Sequence, residues 1–127
     1  MKIIRHNTLD DLLAALYEIS VEELQSSEMG GCDLNGDEYA FPYDEICSHI
    51  KVERCYGYAD HKNQEIHLWI DAEDPPEFAG LLALLSHEIA HNTGTQCVDD
   101  MDEEKRAEEM SDVAVAAYEL CREVLNP

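Results

Sequence analysis

"LLALLSHEIAHNTG", residues 81–94, is the stretch on which the reading of this chain turns. Two histidines and a glutamate, His87, Glu88 and His91, interrupt its most hydrophobic segment. An amphipathic helix with a few polar residues on its wet side is one explanation, and a metal site is the other. His87 and His91 are four residues apart, so on a helix they stand one turn above each other on the same face. Two imidazoles so placed reach one zinc ion at roughly 2.0–2.1 Å. Glu88 projects about a quarter-turn away. There a carboxylate can act on water as general base without occupying the metal, which is the HExxH arrangement.

Working outward, Pro75-Pro76 opens a helix expected over Glu77–Asn92, and Gly94 is placed to stop it. Before it, "KVERCYGYA" (51–59) and "EIHLWI" (65–70) read as two strands joined by the turn "DHKNQ". In the second strand Ile66, Leu68 and Ile70 face one way, and Glu65, His67 and Trp69 the other. The N-terminal part reads as one helix over Thr8–Gln25, with Thr8 as cap and Asp11 at the capping-box position. Leu9, Leu12, Leu13, Leu16 and Ile19 form its apolar stripe. "EMGGCDLNGDE" (28–38) reads as a turn-rich connection with Gly30, Gly31 and Asn35-Gly36 as breakers. Asp33, Asn35 and Asp37 match the start of a calcium loop, but Glu38 stands where that loop requires glycine, so it is set aside. A short helix follows Pro42 through "YDEICSHI", and a last helix is expected over Asp102–Leu125. The order is helix, hairpin, helix, helix, which makes the fold class α+β.

Composition bounds the rest. A chain of 127 residues with 45% hydrophobic content, 6 Gly and 4 Pro is expected to fold as one domain around a modest core. The longest apolar stretch, Phe78 to Leu85, falls short of the roughly 20 residues that span a bilayer. "MKIIRHNTLDDLL" has no secretory pattern, and Cys32, Cys47, Cys55, Cys97 and Cys121 lack CxxC spacing. Reduced thiols and a cytoplasmic location are the expectation. With 8 basic and 29 acidic residues the net charge is −21, which disfavours direct binding to nucleic acid or an anionic membrane. Such acidity keeps a small protein soluble, recruits a basic partner, or imitates the charge of DNA.

A catalytic zinc needs a third protein ligand and keeps its fourth position for water. The final helix offers "RAEEMSDVAVAAYEL", in which Glu108 and Asp112 share one face. Glu108 would bind the metal and Asp112 would accept the outer N–H of a ligating histidine. The competing reading puts these acids on a solvated face. Val113 to Ala117, however, is apolar all round, so the helix is expected to be buried on several sides there.

"HEIAH", followed after sixteen intervening residues by "EEMSD", resembles the gluzincin class of zinc metallopeptidases. The resemblance runs from Leu81 to Leu120. It implies His87, His91 and Glu108 as zinc ligands, Glu88 as base and Asp112 as support for a ligating histidine. The chain has no room for the second subdomain of thermolysin-like enzymes. In compactness it is more similar to minigluzincins and to the ImmA/IrrE and ArdC-type domains of mobile elements. "HEIAHNTG" and "EEKRAE" are similar to the ArdC-type version, which implies Glu104 as an alternative third ligand with Glu108 supporting it.

The expectation is therefore a single zincin-like domain over residues 1–127, with N-terminal helix, small hairpin, HExxH helix and C-terminal ligand-bearing helix. It would be a metallopeptidase that hydrolyses peptide bonds with a Zn²⁺-activated water. A peptide or protein, basic for preference, would be its substrate. The tetrahedral oxyanion needs a further donor, and Tyr56, Tyr58, His61 and His67 are the candidates. If the strand with His67 is the sheet edge, an extended peptide can pair along it. His6 and His49 show no partner pattern and are read as surface or helix-flank residues, Cys97 as a buried thiol, and Met110 and Tyr118 as core. The alternative function is an acidic interaction or antirestriction-type protein on the same scaffold, with a structural metal.

Overall fold

The strand "EIHLWI", β5 (Glu65–Ile70), lies at the centre of a three-stranded sheet rather than at its edge. The computed structural model describes residues 1–32 and 37–126, so the calcium-loop and turn readings of 33–36 lie outside the described residues. β4 (Cys55–Asp60) pairs antiparallel with β5, with Tyr58 opposite His67 and Asp60 opposite Glu65. On the other side β1 (Lys2–His6) pairs parallel with β5, from Lys2 opposite Glu65 to His6 opposite Trp69. β5 therefore has no free edge for a peptide; β4 has one.

Two helices replace the one expected at the N-terminus. α1 (Leu9–Tyr17) begins as read, with the Thr8 hydroxyl accepting from the Asp11 N–H. It ends where Glu18 turns left-handed (φ 56°) and gives its N–H to Ala14 and Ala15. Ser20 then caps α2 (Val21–Gln25) by accepting from the Glu23 N–H. The turn-rich connection is a ladder: β2 (Glu28–Cys32) and β3 (Glu38–Pro42) pair antiparallel, with Gly30 opposite Ala40. α3 (Tyr43–Val52) runs into residues expected to start a strand, and Arg54 at φ 66° turns the chain so that β4 begins only at Cys55.

The alternation of β5 separates two apolar layers. Trp69 packs with Leu9, Leu12, Leu13, Leu24, Tyr43 and Cys47, and Tyr56 and Tyr58 lie against that cluster. Ile66 and Leu68, on the opposite face, are buried on the side of α4 (Phe78–Asn92), which runs along β4. α4 then pairs antiparallel with α5 (Asp100–Leu125), capped by Asp99. The Ser111 hydroxyl donates to the Ala83 carbonyl at 2.9 Å, and near the other end Arg106 Nη2 donates to Ala90 O at 2.6 Å. Small, fully buried Ala90 and Ala107 let the two backbones approach.

Beyond that contact α5 is not buried as its composition suggested. Val113 is 70% exposed, Leu120 60% and Met110 45%. One face is all that α4 covers, and α5 is the longer of the two by about three turns. Tyr118 is half-buried against Phe78, with ring centroids 4.8 Å apart, and Cys97 is exposed. Among the described residues no helix is long and apolar enough to cross a membrane.

Gly57 keeps β4 within reach of β5. A Cβ there would lie 2.7 Å from the His67 carbonyl oxygen and 2.8 Å from Leu68 Cδ2. Gly57→Ala should therefore cost about 1–3 kcal/mol of stability, the usual range for overpacking. Urea unfolding checks this, and an unchanged midpoint would contradict the close approach.

Candidate metal centre

One turn of α4 separates His87 from His91, and the antiparallel α5 brings Glu103, Glu104 and Glu108 over them. The two Nε2 atoms lie 3.1 Å apart. Glu104 faces both, with Oε2 3.1 Å from His87 Nε2 and Oε1 3.0 Å from His91 Nε2. The other ring nitrogens are held from behind. His87 Nδ1 is 2.9 Å from Glu108 Oε2, and His91 Nδ1 is 2.6 Å from Glu103 Oε2.

An ionised carboxylate can only accept, so a proton on either Nδ1 is donated to Glu108 or Glu103. In that tautomer each Nε2 turns a lone pair toward its neighbour and toward Glu104, an arrangement that a cation among them would stabilise. His87, His91 and Glu104 each place one ligand atom within 4.8 Å of the others. Their separations of 3.0–3.1 Å come near the roughly 3.3 Å edge of a tetrahedron built from 2.0–2.1 Å bonds. Two imidazoles and one carboxylate suit a borderline divalent ion such as zinc.

Glu103 is itself braced. Arg106 donates to it through Nε at 2.9 Å and Nη2 at 2.8 Å, and the Cys97 N–H through a 3.0 Å bond. The Arg106 hydrogen bonds, above all, hold its carboxyl down at about 2, so it stays ionised as the acceptor for His91. Glu88 is in the opposite situation. It is 8% exposed, and burial pushes its carboxyl up to about 7 against the opposing pull of His87 and His91. The Ala59 N–H of β4 donates to it. Glu88, His87 and His91 open together with β4 onto a cleft of about 890 Å³.

The structure gathers some of the expected residues and disperses others. His87, Glu88, His91, Glu104 and Glu108 converge. Glu104, not Glu108, faces the paired Nε2 atoms, and Glu108 takes the position behind His87 that had been expected of Asp112. Asp112 is exposed and hydrogen-bonds to neither histidine. The alternation of β4 sends the Tyr56 and Tyr58 rings against the α1 core rather than toward α4. His67 goes the same way: it stacks on Tyr58 at 4.5 Å and pairs with His6 at 2.8 Å. Of the four expected oxyanion donors, Tyr56, Tyr58 and His61 belong to the lining of the cleft, and His61, in the β4–β5 turn, is the exposed one among them. Glu103 and Arg106 were missed, although their three-residue spacing on an expected helix announced an ion pair.

In the metal-free protein Glu88 gives a signed pH effect. Its carboxyl titrates near 4.5 when unfolded and about 7 when folded, so between those values the folded chain holds the extra proton. Stability contributed by that proton is present below pH 4.5 and lost as pH rises through about 7, on the order of 3 kcal/mol at most. Glu88→Gln should match the unsubstituted chain near pH 4.5 and exceed it at pH 8, read by urea unfolding in chelator. A constant difference between the two at every pH would contradict the buried, raised carboxyl.

No family model matches the chain, and no curated protein or solved structure matches it either.

Proposed function

We propose that this chain is a zinc-dependent metallopeptidase with a compact, zincin-like and gluzincin-type site. His87, His91 and Glu104 hold the ion, and Glu88 is the general base. The single observation that carries the reading is the pair of Nε2 atoms facing each other and Glu104, with a carboxylate behind each ring at Nδ1. Zinc supplies Lewis acidity there, polarising a peptide carbonyl and lowering the pKa of water.

The chain's own residues do the remaining work. Glu88, buried beside the paired histidines at the cleft, takes a proton from the attacking water and returns it to the leaving amine. The Ala59 N–H orients the Glu88 carboxylate. Glu108 and Glu103 hold the imidazoles in the ligating tautomer, and Arg106 keeps Glu103 charged. β4, the free edge, offers main-chain groups for an extended peptide along the cleft. His61, exposed at the cleft, is the proposed donor to the oxyanion. Glu53, Asp100, Glu103, Glu104 and Glu108 line the cleft, so a peptide with basic side chains beside the cut bond is the substrate class.

Digestion of a mixed peptide pool by the zinc-loaded protein tests this. Glu88→Gln should lower kcat/KM by at least ~10² with zinc retained. Glu104→Ala should abolish stoichiometric zinc, and Glu108→Ala should weaken it by about 10–100-fold. Asp112→Asn should do neither. Unchanged cleavage by Glu88→Gln would overturn the role of Glu88, and no cleavage by the zinc-loaded unsubstituted chain would leave the acidic surface to carry the function through a basic partner.

A further inference from the structure

On the far side of the sheet a second set of ligand groups meets. Asp60, at the end of β4, stands directly opposite Glu65 on β5, and His67 follows two residues along on the same face. The three each place a ligand atom within 4.8 Å of the others, and all are half-buried. We propose that Asp60, Glu65 and His67 Nε2 form a second divalent-cation site, independent of the α4–α5 centre, with His6 as its positioning residue.

Two facts support it. Like charges directly across an antiparallel pair destabilise the sheet, and Lys2, across from Glu65 on β1, forms no ion pair with it. Asp60 instead spends its oxygens on Asn63, which donates from N at 3.1 Å and Nδ2 at 2.8 Å. Asn63 is neutral and cannot offset the charge. His67 is fixed by two rings: it stacks on Tyr58, and its Nδ1 is 2.8 Å from His6 Nε2. That leaves Nε2 toward Glu65, at 3.4 Å from Oε1. The distance is long for an N–H···O hydrogen bond, whose usual range ends near 3.2 Å. It is close to the separation of two ligands around a common ion, roughly 3.3 Å for zinc. One imidazole and two carboxylates select a divalent ion of borderline to hard character, with water completing its shell. Such an ion would pin the β4–β5 turn, and with it His61 at the cleft.

Equilibrium dialysis against Zn²⁺ with elemental analysis tests the site in the full chain. His87→Ala/His91→Ala removes the first centre and should still bind one equivalent. Adding Asp60→Asn/Glu65→Gln should abolish that equivalent, and so should His67→Ala. The Asn and Gln replacements keep shape while removing charge, with one of the two acceptors used by Asn63 lost, and circular dichroism verifies that the fold survives. In the unsubstituted chain, Asp60→Asn/Glu65→Gln should reduce two equivalents to one. The proposal is overturned if the His87→Ala/His91→Ala protein binds no zinc, or if its equivalent survives Asp60→Asn/Glu65→Gln. Failure of the α4–α5 centre alone would read differently: the unsubstituted chain and His87→Ala/His91→Ala would bind the same single equivalent.

Discussion

The carboxylates behind His87 and His91 are the constraint on which the site rests. Alone, two imidazoles one turn apart on a helix would rotate, trade protons and face solvent. Glu108 and Glu103 each hold one Nδ1 and thereby aim one Nε2 into the gap between α4 and α5. Glu103 can do this because Arg106 and the Cys97 N–H hold it ionised, and Arg106 is in turn tied to the Ala90 carbonyl of α4. The network thus begins and ends on the helix whose histidines it orients.

Packing makes that network reachable. Ala90 and Ala107 are fully buried, so the helix axes come close enough for glutamates of α5 to meet histidines of α4. On the opposite flank β4 lies against α4, and the Ala59 N–H meets the Glu88 carboxylate. Glu88 is therefore buried between a helix and a strand, which raises its pKa toward neutrality, while Glu103 keeps a low one through paired donors. Two glutamates within one cluster are driven apart in acidity by their surroundings.

Much of this was legible in the residues. The four-residue spacing in "HEIAH" placed α4 and its polar face, Thr8 and Asp11 announced the start of α1, and the alternation in "EIHLWI" gave β5 to the residue. Other features were hidden by their dependence on partners. β1 has adjacent Ile3 and Ile4 and no alternation, so only its parallel pairing with β5 makes it a strand. The break after α1 carried a signal in Ser20 and Glu23, a second capping pair inside an apolar stripe that ran on through it. At the metal centre the residue types were readable, but which glutamate faces the histidines depends on the rotation of α5 against α4. Glu104 and Glu108 lie on one face, so spacing alone cannot choose between them. The apolar run at Val113–Ala117 misled for a related reason: composition shows that a face is apolar, and only packing shows whether anything covers it.

The most direct measurement is a crystal structure of the zinc-loaded protein with an anomalous difference map at the zinc edge. The account predicts a peak between α4 and α5, within bonding distance of His87 Nε2, His91 Nε2 and a Glu104 oxygen, with Glu108 and Glu103 still behind the rings. A map with no peak there, or a peak held by Glu108 with Glu104 turned to solvent, would contradict it.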